Sequence, residues 1–276
     1  MMISQAPATL LQRIDVALTS ALRSDRNNGP VPARGQSLEV RDLLIKGVAE
    51  RDLPLSLGRA RLDTPHSGLA LVINSFLPWR RACSQLPLCD RLGFGAIQFD
   101  VRCPTGLRGT PPHLDLLALR DDHAVAVTVR SVEYLTRKRS PLATSYDKLL
   151  GETSGMGLWH DHLADWRARR VGYNHVDLPA LIKYATALGR TFPDRSSTLL
   201  YLYWEPLDAR TYEEFRQHQI ELEALSSAVK DARVNFKAES FEALWQGWSE
   251  LSVPSWISGH VDRLRSRYAV SLGAAN

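Results

Sequence analysis

The first third of the chain carries hydrophobic residues in helical patterns. Apolar side chains recur with helical spacing between residues 10 and 22, which predicts an amphipathic helix. Residues 25–36 are rich in Asn, Gly and Pro and predict a loop, and residues 38–50 predict a second helix. Residues 67–79 (SGLALVINSFLPW) carry no charge, so we expect a mostly buried helix that ends near Pro78.

The middle of the chain changes to a strand pattern. Residues 97–102 (IQFDVR) alternate between apolar and polar side chains, which predicts a half-buried strand. Residues 114–119 (LDLLAL) and the valine-rich residues 124–132 (AVAVTVRSV) predict two more strands. Only RDDH separates these two strands, so we expect an antiparallel hairpin.

The last hundred residues again mix helices and strands. Asp177 is placed to cap a helix. The apolar residues 198–204 (TLLYLYW) predict a central strand covered on both faces. Thr211 and Glu214 form a capping-box pattern that predicts a helix to about residue 230. The other elements predicted here are a short strand near Val234 and Phe236, a helix capped by Ser240, and a helix with Ile257, Val261, Leu264 and Tyr268 on one face.

Composition narrows the class of protein. With 276 residues, 44% of them hydrophobic and 23% charged, the chain is typical of a globular protein and unlike a disordered or fibrous one. The order of predicted helices and strands indicates a mixed α/β domain. The net charge of +4 permits a polyanionic partner without requiring one. The three cysteines form no CxxC pair, which excludes the common structural zinc sites. The N-terminus does not resemble a secretory signal, so we expect a cytoplasmic protein without a membrane partner.

Several well-known catalytic motifs are absent from the sequence. It contains no P-loop, no Gly-x-Gly-x-x-Gly turn, no Gly-x-Ser-x-Gly elbow and no His-Glu-x-x-His helix. The order of predicted elements also disfavours a doubly wound nucleotide-binding fold, whose strands alternate strictly with helices. His160 and His162 lie in a segment with a helical pattern, where side chains two residues apart diverge, so we expect no metal site there.

The most informative segment is residues 99–135. It contains Phe99-Asp100, then PTGLRGTPPHLD from residue 104 to Asp115, then VTVRSVEYL from residue 127 to 135. Together with the Asn-x-Phe pattern of the buried helix, these motifs resemble the PD-(D/E)XK nuclease superfamily. Within it they are most similar to a bacterial group of restriction-endonuclease-like proteins with a Pro-Thr-Gly-Leu-x-Gly-Thr-Pro-Pro-x-Leu-Asp run.

The resemblance implies an α/β fold of the restriction-endonuclease-like kind, a mixed β-sheet flanked by helices. We expect residues 61–276 to form this domain and residues 1–60 to form a helical N-terminal extension. In such nucleases an Asp and a Glu of the hairpin hold Mg²⁺, which positions water and neutralises charge during phosphodiester hydrolysis. A Lys two residues after that Glu shares its face of the strand and stabilises the attacking hydroxide or the phosphate.

The sequence departs from this pattern at the catalytic positions. Asp115 matches the Asp, but Thr128 stands at the Glu position and Arg130 at the Lys position. Asp100 stands at the upstream Glu position and keeps a carboxylate. The predicted catalytic set is therefore Asp115, Arg130, Asp100 and Thr128, with Asp115 and Asp100 as metal ligands that bind Mg²⁺ weakly. Rescue of the missing carboxylate by Glu133 is the weaker idea.

Three hypotheses about function stay open at this point. The first is a nucleic-acid-binding homologue, with DNA favoured over RNA, whose cleavage is lost or much weakened. The second is an active Mg²⁺-dependent DNA endonuclease that uses Asp100, Asp115 and Arg130. The third is a non-enzymatic interaction subunit that reuses the fold. For the first, we expect phosphate contacts from Arg108, Arg130, Arg137, Lys138 and Arg139. The oligomeric state is open.

Overall fold

The computed structural model describes residues 9–25, 40–54, 57, 64–251 and 254–273. The α-helices of these residues are α1 (Leu10–Asp25), α2 (Val40–Leu43), α3 (Gly68–Phe76), α4 (Ser145–Glu152), α5 (Gly157–Arg167), α6 (Leu178–Thr191), α7 (Glu213–Ala228), α8 (Phe241–Ser249) and α9 (Ile257–Tyr268). The strands are β1 (Ala96–Arg102), β2 (His113–Leu119), β3 (His123–Arg130), β4 (Ser196–Tyr203) and β5 (Val234–Ser240).

The five strands form one mixed sheet in the order β1-β2-β3-β4-β5. The first three strands pair antiparallel, and the short RDDH connection predicts this arrangement for β2 and β3. β4 is parallel to β3, and β5 is parallel to β4. β3 and β4 have strands on both sides and are almost completely buried, which explains their near-continuous apolar sequences. The mixed α/β architecture is therefore confirmed.

Helices cover both faces of the sheet. Gly68 at the start of α3 lies against the side chain of Val129, and Tyr184 of α6 lies close to the side chain of Arg130. Because Val129 and Arg130 are neighbours on β3, their side chains point to opposite faces of the sheet. α3 and α6 therefore lie on opposite faces, and the polar residues at the end of β3 are on the α6 face.

The N-terminal helix packs into the same hydrophobic core as the sheet. Ile14 and Leu18 of α1 are buried and belong to the cluster that contains the strand residues. α1 contacts α9, and the Arg267 guanidinium pairs with the Asp25 carboxylate at 2.6 Å. The boundary predicted between residues 60 and 61 lies outside the described residues and stays a prediction.

The second predicted helix is wrong over most of its length. Residues 38–50 were expected to be helical, but the described helix α2 is a single turn that ends at Leu43. The cause is Asn74 of α3, whose side-chain amide donates to the Leu43 carbonyl at 2.8 Å and accepts from the Ile45 amide at 3.1 Å. These contacts replace helical hydrogen bonds, and Gly47 then turns the chain with a φ of +96°.

The capping box is also wrong. The Thr211 hydroxyl donates backwards to the Asp208 carbonyl at 2.8 Å and stabilises a short 3₁₀ turn instead of capping a helix. α7 begins at Glu213 with Tyr212 as its N-cap. By contrast, the predicted caps Asp177 and Ser240 both accept hydrogen bonds from the first turn of their helices. Most of the loop predicted at residues 25–36 lies outside the described residues.

Candidate functional site

The predicted site residues lie towards one edge of the sheet. β3, β4 and β5 run parallel and end together, while β2 runs antiparallel to β3 and begins there. We call this edge, marked by His113, Arg130, Tyr203 and Ser240, the carboxyl edge. Ends of parallel strands are common places for binding and catalysis because loops, rather than packed strands, surround them.

The strand register brings three of the predicted residues together. Leu116 pairs with Val127, so the next residues towards the carboxyl edge, Asp115 and Thr128, stand opposite each other. Arg130 lies two residues after Thr128 and therefore on the same face of β3. The clustering of Asp115, Thr128 and Arg130 follows from this register.

Asp115 has a structural contact within this cluster. Its side chain is almost completely buried, and its Oδ2 accepts a hydrogen bond of 2.7 Å from the backbone N–H of Val129. Leu116 and Val127 form the last regular pair of the β2–β3 register towards the carboxyl edge. The Asp115 carboxylate thus bridges the two strands where their regular pairing ends.

Arg130 fills the space beside this carboxylate. Its Nη1 donates to the Thr128 hydroxyl at 3.0 Å and to the Val129 carbonyl at 2.8 Å, and the Tyr184 side chain lies nearby. Burial opposes the charged form, but the oxygens of Tyr184 and Tyr201 and the Asp115 carboxylate outweigh it. The pKa of the guanidinium is therefore raised, and Arg130 stays charged.

Asp100 has an unusual backbone and a partner that the sequence did not reveal. Its φ of +51° is in the left-handed region, which interrupts the extended strand β1. The register on either side, Phe99 with Leu116 and Val101 with Leu114, places Asp100 opposite Asp115. Its Oδ1 lies 3.1 Å from His113 Nδ1, so the ring can donate to the carboxylate.

The donor set of this site does not fit Mg²⁺. Mg²⁺ prefers several hard anionic oxygens in octahedral geometry. Here one carboxylate bridges strands, the other contacts His113, and the Thr128 hydroxyl accepts from a guanidinium. Within the described ranges, no three His, Cys, Asp or Glu side chains come together as a metal-binding group. Glu133 caps the backbone N–H groups of Ser131 and Val132 and does not restore the missing ligand.

Four of the five cations predicted to bind nucleic acid are exposed, and the fifth, Arg130, is half-buried. The exposed predicted cations are Arg108, Arg137, Lys138 and Arg139. Two cations that were not predicted, Arg102 and Arg190, are also exposed. Within the part of the chain that the structure describes, none of these six forms an ion pair. Some cations elsewhere on the surface are paired, for example Arg167 with Asp147, Arg170 with Asp165 and Arg265 with Glu242.

Helix α6 links these basic segments. Its N-cap Asp177 accepts hydrogen bonds from Ser140, directly after the 137–139 cluster. Its last turn reaches the β1–β2 loop, where Cys103 Sγ lies 3.3 Å from Thr191 Oγ1 and Gly106 lies beside the Arg190 guanidinium. The 14 residues of α6 span about 20 Å. Two basic segments thus lie at opposite ends of a helix whose middle contacts Arg130.

Four residues near the site were not predicted from the sequence, namely His113, Tyr184, Arg102 and Arg190. His113 stands two residues before Asp115 in the strand pattern, so the period of two could have identified it. No signal in the sequence marks Tyr184, because α6 reaches the site from another part of the chain. His160 and His162 diverge as expected, and His162 Nε2 instead lies 2.7 Å from the Tyr173 hydroxyl.

Comparison with known proteins identifies no relative. No family model, no curated protein and no solved structure matches the chain. None of the described helices is both long and apolar enough to cross a membrane.

Proposed function

We propose that this protein is a restriction-endonuclease-like protein that binds nucleic acid, DNA in preference to RNA, and has lost or greatly weakened metal-dependent cleavage. A mixed sheet flanked by helices is the architecture that the sequence resemblance implies. The observation that carries the proposal is the Arg130 guanidinium, which contacts Thr128 at the position where a nuclease of this kind needs an anionic ligand. A permanent cation at that position repels Mg²⁺ and attracts phosphate.

The distribution of exposed cations supports the binding part of the proposal. Arg108 and the 137–139 cluster lie in the segments that flank α6, at opposite ends of a span of about 20 Å. Each strand of DNA advances about 3.4 Å per nucleotide, so this span matches about six base pairs. Because these cations have no ion pair with a described carboxylate, a phosphate would not need to displace one.

A second candidate function is a non-enzymatic interaction subunit. The burial of Asp115 and Thr128 favours it, since both side chains are almost inaccessible and already hydrogen bonded. In that case the cluster holds the end of the sheet together, and the functional surface lies elsewhere on the molecule.

A binding and cleavage experiment separates the candidates. Fluorescence anisotropy with labelled duplex DNA, single-stranded DNA and RNA, across a salt series, measures binding. Incubation of the same substrates with Mg²⁺ or Mn²⁺ measures cleavage. We expect salt-sensitive binding without cleavage. Cleavage that Asp115→Ala abolishes would instead support an active nuclease. No binding even at low salt would support the interaction subunit.

A gain-of-function variant tests the cause of the lost cleavage. Thr128→Glu with Arg130→Lys restores a carboxylate and an amine at the two altered positions. We expect the double variant to gain metal-dependent cleavage or, at least, to become more resistant to thermal unfolding when Mn²⁺ is added. Thr128→Gln with Arg130→Lys is the matched control, because it changes the same positions without adding the anionic ligand.

A further inference from the structure

A cavity on the other side of α3 is independent of the carboxyl edge. It has a volume of about 620 Å³ and lies between residues 47–53, the 3₁₀ turn Leu77–Arg81 and helix α9. Its lining shares no residue with the predicted site. A volume of this size is within the range of small-molecule binding sites.

The lining of this cavity is strongly basic. Four arginines and one carboxylate face it, namely Arg51, Arg80, Arg81, Arg263 and Asp52. The carboxylate is already engaged, because Arg81 Nη2 lies 3.2 Å and Arg51 Nε 4.0 Å from its oxygens. The lining therefore keeps an excess of positive charge that this carboxylate does not neutralise.

Among the described residues that line the cavity, Arg263 is the cation with an unsatisfied buried donor. Its Nε is buried and has no hydrogen bond to any described residue. The guanidinium packs against two glycines, Gly47 and Gly259. A Cβ at Gly47 would lie 3.6 Å from Nη2, and a Cβ at Gly259 would lie 3.5 Å from Nη1. A buried donor without an acceptor costs free energy unless something else supplies the acceptor. An anion in the cavity would supply it.

The remaining wall of the cavity is apolar and aromatic. Leu53, Leu77, Pro78 and Trp256 line it. The half-buried Trp256 ring packs edge-on against Trp79, with 4.9 Å between the ring centroids. His260 also lines the cavity, and burial together with the nearby Arg263 charge lowers its pKa to about 4, so this ring is neutral at pH 7. The cavity thus combines guanidinium groups with an aromatic surface.

We propose that this cavity binds a small organic phosphate of mononucleotide size, with the phosphate on Arg263 and Arg80 and the ring against Trp256. Guanidinium groups match phosphate oxygens with paired N–H donors, and they remain charged in a partly buried site. Trp256 offers a flat surface for an aromatic ring. The proposal does not depend on nucleic-acid binding at the carboxyl edge.

Isothermal titration calorimetry with AMP, adenosine and inorganic phosphate tests the proposal. We expect AMP to bind more tightly than either fragment, because each fragment uses only one part of the cavity. Arg263→Gln should weaken AMP binding by about tenfold or more, since it removes charge-assisted hydrogen bonds. Arg23→Gln, an exposed arginine of α1 outside the cavity, is the matched control and should leave the affinity unchanged.

A second variant keeps the test decisive if Arg263→Gln unfolds the protein. Trp256→Ala should weaken AMP binding while the weaker affinity for inorganic phosphate stays the same. Absence of AMP binding to the wild-type protein, equal affinity for AMP and adenosine, or undiminished binding by a folded Arg263→Gln variant would each overturn the proposal. Tight binding of a 5′-phosphorylated oligonucleotide without AMP binding would also overturn it.

Discussion

The two ends of strand β3 carry buried polar groups of different kinds. At the start of the strand, both ring nitrogens of His123 contact hydroxyl groups. Nδ1 lies 2.6 Å from the Ser196 hydroxyl, and Nε2 lies 3.0 Å from the Thr198 hydroxyl. Burial lowers the pKa of this imidazole to about 4, so it is neutral at pH 7. At the end of the strand, Arg130 remains charged beside the Asp115 carboxylate. One strand therefore begins with a neutral polar group and ends with a cation.

This difference shows what the carboxyl edge is suited to do. Hydroxyl groups satisfy His123 without any net charge, so a polar group at the end of a buried strand does not require an ion. The guanidinium at the other end is compensated by the Asp115 carboxylate and by the hydroxyl and carbonyl oxygens that it contacts. Under the function proposed above, this retained cation is the group that would contact phosphate.

The largest effect is expected from removing the carboxylate at the charged end. Asp115→Ala leaves the Val129 N–H without its acceptor and Arg130 without its nearest carboxylate, so we expect the free energy of unfolding to fall by about 3 kcal/mol. Urea denaturation measures it. Asp115→Asn is the control. Its amide oxygen keeps the hydrogen-bond acceptor, so we expect a smaller loss in the free energy of unfolding. A loss below about 1 kcal/mol for Asp115→Ala would contradict the bridging role.

The charged end of β3 was largely predictable from the sequence because its geometry is local. A period of two places Thr128 and Arg130 on one face, and a short hairpin fixes Asp115 opposite them. His113 follows from the same period. Tyr184 does not, because it reaches Arg130 only when α6 packs across the sheet. The left-handed backbone of Asp100 also has no marker in the sequence, since Asp adopts it only occasionally.

The helix predicted at residues 38–50 shows the same limit of prediction from local sequence. The pattern at residues 38–50 is helical, but Asn74, about thirty positions away, takes two of the backbone groups that would continue the helix. The same amide donates to the Tyr268 hydroxyl at 2.6 Å, so it connects α2, α3 and α9. A periodicity argument uses neighbours in sequence and therefore does not detect a side chain that competes through tertiary structure.

The stability that His123 contributes at the neutral end of β3 should depend on pH. The folded-state pKa of His123 is about 4 and the unfolded value is near 6.5. Between these values the unfolded state binds more protons, so stability is complete above about pH 6.5 and falls as the pH drops towards 4. The full shift corresponds to about 3 kcal/mol. Because solvent partly screens this ring, we expect it to contribute about 2 kcal/mol across that window.

Comparison with a variant isolates this contribution. Burial also lowers the pKa of His218 and His260, so the wild-type protein loses stability in acid at several positions. His123→Gln keeps a polar side chain that does not titrate. Urea unfolding at a series of pH values should show a shallower acid loss for this variant than for the wild type. Identical pH dependence would mean that His123 does not titrate differently in the folded and unfolded states.

The next prediction concerns the contribution of Arg130, at the charged end of β3, to DNA affinity. If the Arg130 guanidinium contacts phosphate, Arg130→Ala should weaken DNA binding by about 1–3 kcal/mol. Arg130→Lys keeps the charge without the planar group, so its DNA affinity should fall between those of the wild type and Arg130→Ala. Anisotropy titrations at one salt concentration measure the difference, and circular dichroism checks that the variants fold. Equal affinity of wild type and Arg130→Ala would remove Arg130 from the binding surface.

The smallest effect is expected from the exposed cations that flank α6. Arg108 has no ion pair within the described chain, whereas Arg170 pairs with Asp165. If Arg108 contacts one phosphate, Arg108→Gln should reduce the slope of log K against log salt by about one and weaken binding to all sequences alike. Arg170→Gln also removes one positive charge, but its arginine is already neutralised by a carboxylate, so we expect little change in slope. Salt titrations of both variants on the same duplex make the comparison. Equal changes in slope would show that only the overall charge matters, and the assignment of the binding surface to the two ends of α6 would then be wrong.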